Sequence, residues 1–304
     1  MKKKIGFIGL GAMGSPMASN LSKAGFNVTV YDIRKERINP LVLSGANSAS
    51  TPKEVASLTD VIITSLPSSP DVKKVVLGEK GIIEGAHEGH ILIDMSTIDP
   101  LTTQEVAKAL AQKGVRMIDA PVAGGVKAAA SGTLTIFMGG QEEIVEECKE
   151  VLEVLGSNIY HVGNIGAGET VKIVNNLILA GNVCVLSEGL VLGVKAGVKP
   201  EILVEALRKG SADSFALGHH IKNFVLKGKF RKGIFSVDYM LKDLRLVLET
   251  GKRLRVPLYM TSLATQLYEG ARAKGKSQNY HPVVITQLED LTGVQVRSKE
   301  ARGK

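Results

Sequence analysis

Lys172 and Asn176 are the pair in this sequence whose types and spacing most directly suggest proton chemistry. They stand in a proline-free stretch from Val162 to Gly197, and a helix there places positions i and i+4 on one face, with Asn175 beside them. A lysine among apolar side chains loses solvation of its ammonium form. Its pKa therefore falls, and it can exchange protons near neutrality. Asn176 can fix the ammonium, or a substrate oxygen, by a hydrogen bond. A single Lys-x-x-x-Asn pair is more often a lysine snorkelling to water beside a capping asparagine, so the elements around it must decide.

The helix that carries the pair is expected over about 167–196, starting near Gly168 after Gly163 and Gly166. Val171, Ile173, Val174, Leu177, Ile178, Leu179, Val183, Val185 and Leu186 put apolar groups on nearly every side of it. Such a helix is wrapped by protein all round, between two domains or two subunits. It is not expected to span a membrane, because Asn175, Asn176, Asn182 and Glu188 interrupt it.

A second candidate site opens the chain. Lys4 to Leu10 is a short apolar run that leads into Gly9-x-Gly11-x-x-Gly14 and then a helical pattern from Met13 to Ala24. The basic and apolar start resembles a secretory signal, but the recurrent glycines fit a first strand better. Gly9, Leu10, Gly11, Ala12, Met13 and Gly14 form a turn that can approach a pyrophosphate and offer it the helix N-terminus. Asn27 to Asp32 is the next strand, and it ends in an acid at the distance expected for a ribose ligand. Asp32 repels a 2′-phosphate and favours NAD over NADP, while Arg34 and Lys35 are the residues that could accept NADP instead.

The alternation of strand and helix continues. Thr51-Pro52-Lys53-Glu54 is a capped helix start, and Asp60 to Ser65 is a buried strand with an exit loop at Leu66 and Pro67. Ile91 to Asp94 is another strand. Ser96 and Thr97 follow it at the end where open α/β sheets place ligands, although they could equally cap the helix near Leu101. Arg116 to Ala120 runs into Pro121-Val122-Ala123-Gly124-Gly125, whose adjacent glycines form either an anion-binding nest or a plain turn. Thr133 to Met138 is a possible hairpin strand. Helix Glu142 to Leu155 and strand Asn158 to Val162 close the sheet.

Beyond Gly197 the signal is helical throughout, over Pro200–Lys209, Ser214–Leu226, Val237–Leu254, Pro257–Lys274 and Val283–Leu291. The expected fold is therefore α/β: a doubly wound, Rossmann-type N-terminal domain (1–164) and an all-α C-terminal domain (165–304), joined by the long helix. His219 and His220 have no partner at ligand spacing and read as surface residues, and no metal site is expected. The basic tail Val296 to Lys304 reads as frayed.

Composition sets outer bounds. A chain of 304 residues, 44% apolar and 22% charged, has the make-up of an ordinary globular protein. Cys148 and Cys184 lack metal-ligand spacing and read as buried or incidental thiols, which suits a reducing cytoplasm. The net charge of +8 comes with no tryptophan and only 4% aromatic residues. It is read as a weak field for an anionic cofactor and a carboxylate substrate, with no nucleic acid and no membrane as partner.

Taken together, Gly9 to Gly14, Asp119 to Gly125, Gly163 to Asn176 and Lys242-Asp243 resemble the β-hydroxyacid dehydrogenase family over almost the full length. The family signature G-x-x-G-x-G-x-x-x-K-x-x-x-N is matched by Gly163, Gly166, Gly168, Lys172 and Asn176. The resemblance implies that Lys172 is the general acid/base and that Asn176 assists it. It places the stretch from Asp119 to Gly125, with Ala123, Gly124 and Gly125, against the substrate carboxylate, Ser96 and Thr97 against cofactor and substrate, and Phe235 in the pocket wall. Lys242 and Asp243 match the family's Lys-Asp pair, on the cofactor and substrate sides respectively, so that the two halves would share one cleft. Ala123 stands where the family usually has serine, and Asp32-Ile33 stands where NADP-using members carry Asn-Arg.

The implied activity is reversible hydride transfer between NAD(H), with NADP possible, and a small 3-hydroxy acid of the 3-hydroxyisobutyrate, tartronate semialdehyde or 2-(hydroxymethyl)glutarate type. A glyoxylate, succinic semialdehyde or sulfolactaldehyde reductase of the same family is an alternative, as is a non-catalytic dinucleotide-binding module. A homodimer or homotetramer is expected from the apolar helix faces and from the family.

Overall fold

The computed structural model describes residues 2–302 and divides into two compact units, Met1–Lys172 and Ile173–Lys304. In the first, β1 (Lys4–Ile8), β2 (Asn27–Tyr31), β3 (Asn47–Ser48), β4 (Val61–Thr64), β5 (Ile91–Asp94) and β6 (Arg116–Asp119) are parallel. The strand order is β3-β2-β1-β4-β5-β6, so the direction of winding reverses between β1 and β4. Open α/β sheets bind their ligands outside the carboxyl ends of the strands at such a reversal.

β4 and β5 are buried along their whole length, as parallel strands covered on both faces must be. One face packs Phe7, Met17, Leu21, Val30 and Ile93 against one another. The other packs Ile8, Val55, Ile62, Leu92 and Val106. Local signals behave as read at Thr51, whose Oγ1 accepts the Glu54 N–H at 3.1 Å while Glu54 Oε2 accepts the Ser50 N–H at 2.7 Å.

The far edge departs from a simple hairpin. β7 (Val122–Ala123) and β8 (Leu134–Gly139) are antiparallel, but a short helix, Gly125–Ser131, stands between them. β9 (Gly156–Gly163) then adds parallel to β8.

The second unit is helical, with two isolated bridges, Lys232 to Asn279 and Ser236 to Tyr280, that sequence pattern alone does not announce. The long helix, Ala167–Lys195, has the length and apolar content to cross a membrane. Ala180, Val183 and Cys184 nevertheless pack into a protein core with Val237, Met240, Leu244 and Tyr268. It is not wrapped on every side: Ile178, Val185 and Leu192 are 52%, 56% and 71% exposed. Each lies one heptad after the last, so they form one bare stripe.

Two other expectations are corrected. His220 is buried rather than on the surface, because the segment Ala216–Val225 turns it toward Tyr280 and His281; His219 is exposed, as read. The tail does not fray from Val296 onward: Val296 is fully buried, and Arg297 pairs with Glu289 at 2.6 Å. Gly303 and Lys304 lie outside the described residues.

Candidate active site

In the first unit the glycine turn leaves β1 with Gly9 at φ +96°, a conformation that favours glycine. A Cβ on Gly14 would come within 1.9 Å of the Gly9 carbonyl oxygen, whereas one on Gly11 would meet nothing nearer than Arg37 at 3.9 Å. Gly14 is thus required for helix and strand to close up, and the backbone at Gly11 stays open to an approaching ligand. The helix after it, Gly14–Lys23, has neither a side-chain cap nor an acid in its first turn. This is the arrangement a pyrophosphate needs. Ala12 is exposed, Met13 is half-buried and packs on the core, and Leu10 is buried.

Asp32, buried at the end of β2, is held by two backbone amides. Its Oδ2 accepts the Leu10 N–H at 2.7 Å and its Oδ1 accepts the Arg34 N–H at 2.8 Å, so the carboxylate braces the glycine turn itself. Arg37 Nη1 lies 3.5 Å from it. Sequence reading passed over Arg37 in favour of Arg34 and Lys35, both exposed; its spacing of five from Asp32, across the start of a helix, was the available signal.

Leu66 and Pro67 follow β4, and Ser96 and Thr97 follow β5. Ser96 is buried and its hydroxyl accepts the Leu66 N–H at 2.9 Å, which ties the two loops together. Neither Ser96 nor Thr97 caps the next helix; Asp99 does, accepting the Leu101 N–H at 3.2 Å. Gly124 and Gly125, at φ +119° and +71°, are exposed and consecutive in the left-handed region, next to half-buried Ala123.

Three carboxylates that sequence reading did not single out stand fully buried near these loops: Asp94, Asp119 and Glu169. Asp94 Oδ1 accepts from the Thr64 hydroxyl at 2.8 Å and from the Ser96 N–H at 3.1 Å, and Glu169 Oε2 accepts the Ile98 N–H at 3.1 Å. Burial raises the Asp119 carboxyl to about 6, against the pull of the Gly166 and Glu169 amides. Lys172, half-buried, is one turn beyond Glu169 on the same helix.

In the second unit Asn176 and Asp243 meet. Asn176 Nδ2 donates to Asp243 Oδ2 at 2.6 Å, Asn175 Nδ2 donates to Asn176 Oδ1 at 2.9 Å, and Lys242 Nζ lies 2.9 Å from Asp243 Oδ1. Asn176 and Asp243 are both 2% exposed. Phe235 is half-buried between Tyr239, stacked at 6.3 Å, and His281, edge-on at 5.5 Å.

Comparison with known proteins gives this arrangement its context. Residues 4–163 match the model described as the NAD binding domain of 6-phosphogluconate dehydrogenase, and residues 166–288 match NAD-binding of NADP-dependent 3-hydroxyisobutyrate dehydrogenase. The chain is 46% identical to 2-(hydroxymethyl)glutarate dehydrogenase of Eubacterium barkeri, over 96% of this chain and 97% of that one. It is 38% identical to 2-hydroxy-3-oxopropionate reductase of Escherichia coli (strain K12), over 94% and 97% respectively. Among solved structures, 3-hydroxyisobutyrate dehydrogenase of Mycobacterium tuberculosis with L-serine superposes with a TM-score of 0.89, at 29% identity and covering 95% and 99% of the two chains. Two family models in tandem, full-length relatives and a shared fold establish that the chain belongs to the β-hydroxyacid dehydrogenase family, NAD(P)-dependent oxidoreductases acting on the CH–OH group of small hydroxy acids.

Proposed function

We propose that Lys172 is the general acid/base of this enzyme and that its preferred cofactor is NAD. When bound, the cofactor supplies the hydride chemistry. In the reductive direction the Lys172 ammonium gives its proton to the oxygen of the substrate carbonyl as the alcohol forms. In the oxidative direction the neutral amine takes that proton back. Asn176, held by Asp243, orients the reacting oxygen, with Thr97 and the Gly124 and Gly125 amides positioning the carboxylate. The observation that carries this reading is the intact series Gly163, Gly166, Gly168, Lys172 and Asn176, running from the end of β9 into the long helix, with Asn176 fixed at 2.6 Å to a buried carboxylate.

The substrate we favour within the family is a 2-(hydroxymethyl) dicarboxylate, oxidised to its semialdehyde. Supporting this are the higher identity to the Eubacterium barkeri enzyme, 46% against 38% for the Escherichia coli reductase, and Ala123, which leaves more space at the carboxylate loop than serine would. The test is a panel read at 340 nm with NADH and NADPH: 2-formylglutarate, methylmalonate semialdehyde, tartronate semialdehyde, succinic semialdehyde, glyoxylate and sulfolactaldehyde. The highest kcat/KM should fall to 2-formylglutarate with NADH. A preference for tartronate semialdehyde or glyoxylate would overturn the substrate assignment.

The bare stripe of Ile178, Val185 and Leu192 is covered, in this reading, by a second copy of the chain, as a homodimer or within a homotetramer. A cytoplasmic location agrees with two buried thiols, each raised to about 12 by burial.

A further inference from the structure

Asp119 ends β6 with both carboxylate oxygens directed at one target. Oδ1 accepts the Gly166 N–H at 2.7 Å and Oδ2 accepts the Glu169 N–H at 2.8 Å. Those amides open the helix that carries Lys172, one turn further on. The surrounding backbone is shaped to admit the carboxylate. A Cβ on Gly139 would lie 2.4 Å from Oδ1 and one on Gly168 would lie 2.8 Å from Oδ2, so glycine is needed at both places.

The arrangement carries a free-energy cost that a plain helix cap avoids. Burial raises the Asp119 carboxyl to about 6, and Asp94, facing it from β5, adds to the rise. Glu169 faces it from the helix through its amide, and Gly139 on β8 offers only backbone. An exposed serine or asparagine would satisfy an N-terminal amide without burying a charge. What the carboxylate adds is two-point attachment: one rigid group fixes both the axial position and the rotation of the first turn. We propose that Asp119 is a positioning residue for catalysis, holding the first turn of this helix so that the Lys172 amine stands where it exchanges its proton. The proposal rests on the assignment of Lys172 as general acid/base.

Asp119→Asn separates this role from a general structural one. An amide offers one oxygen and turns its NH2 toward the second backbone N–H, so one of the two anchors is lost while shape is kept. The expected result is a kcat about 30- to 100-fold below the parent, as small misplacements at a reacting centre produce. The NADH dissociation constant, measured by fluorescence without turnover, and the KM for the acid should change by less than about twofold. The solvent deuterium isotope effect on kcat should grow, because delivery of the proton becomes slower. Asp119→Ser, smaller and with one acceptor, replaces the variant if Asp119→Asn does not fold. A kcat within about threefold of the parent, or a kcat loss matched by an equal loss of NADH affinity, overturns the proposal. Lys172→Ala measured in parallel separates the two failures: if it keeps turnover the underlying assignment is wrong, and if it is inactive while Asp119→Asn is not, only the positioning role falls.

Discussion

Asn176 and Asp243, far apart in sequence, share a 2.6 Å hydrogen bond in which both side chains are almost wholly removed from solvent. Lys242, at 2.9 Å, balances the carboxylate's charge. Truncating the asparagine leaves a buried carboxylate oxygen without that donor, a loss of about 1–3 kcal/mol. Asn176→Ala is therefore expected to lower both the melting temperature and kcat. Asn176→Asp, which sets two acids against each other, should be worse in both. A parent-like melting curve for Asn176→Ala would show that the bond is not made in solution.

Cofactor selection should not reduce to a single charge. Because Asp32 accepts the Leu10 N–H and, in the proposed reading, also binds the cofactor ribose, Asp32→Ala is expected to weaken NADH binding several-fold while it narrows the preference over NADPH. Arg37→Glu leaves that brace in place and should weaken NADPH more than NADH. Fluorescence titration of both dinucleotides decides the matter. Unchanged NADH affinity in Asp32→Ala would contradict the bracing role.

Acid should weaken the second unit. Burial lowers His220 to about 4 and holds His281 well below its ordinary value. The folded-state pKa values are depressed, so the stability these groups contribute is full above the unfolded value near 6.5 and declines as pH falls toward 4. The His220 shift alone corresponds to about 3 kcal/mol at most. Asp119 acts in the opposite sense: its raised carboxyl favours the folded state as pH falls from about 6 toward 3.8. His220→Gln should flatten the fall in melting temperature between pH 6.5 and 4, and an equally steep fall would refute this account.

The fold was legible where period and punctuation agreed. The glycine turn, the capped start at Thr51 and the apolar strands β4 and β5 state their own structures. What stayed hidden depended on contacts between distant residues. His219 and His220 are adjacent and of one type, yet only His220 faces Tyr280 and His281, because the helix turns between them. Lys172 and Asn176 could be paired from the sequence, since the helix Ala167–Lys195 fixes their spacing. Asp94, Asp119 and Glu169 were not visible as a buried acidic group, because three strand and helix ends must first converge. Ser96 could equally be read as a cap, but Asp99 caps the helix and the Ser96 hydroxyl ties two loops, a contact between distant residues.

The bare heptad stripe gives a prediction about assembly. Ile178→Lys combined with Val185→Lys puts two charges on the exposed face and should leave the second unit's own core intact, since Ala180, Val183 and Cys184 point the other way. Light scattering after gel filtration should show the parent as an oligomer and the double variant as a monomer. A monomeric parent would remove the second copy from the account.

The most direct test of the central claim is turnover by Lys172→Ala, with NADH binding measured on the same sample. Loss of a positioned proton donor costs about 10²–10⁴-fold in rate. The account therefore predicts a kcat at least about a hundredfold below the parent, with the NADH dissociation constant changed by less than about twofold. A kcat equal to the parent's would contradict it.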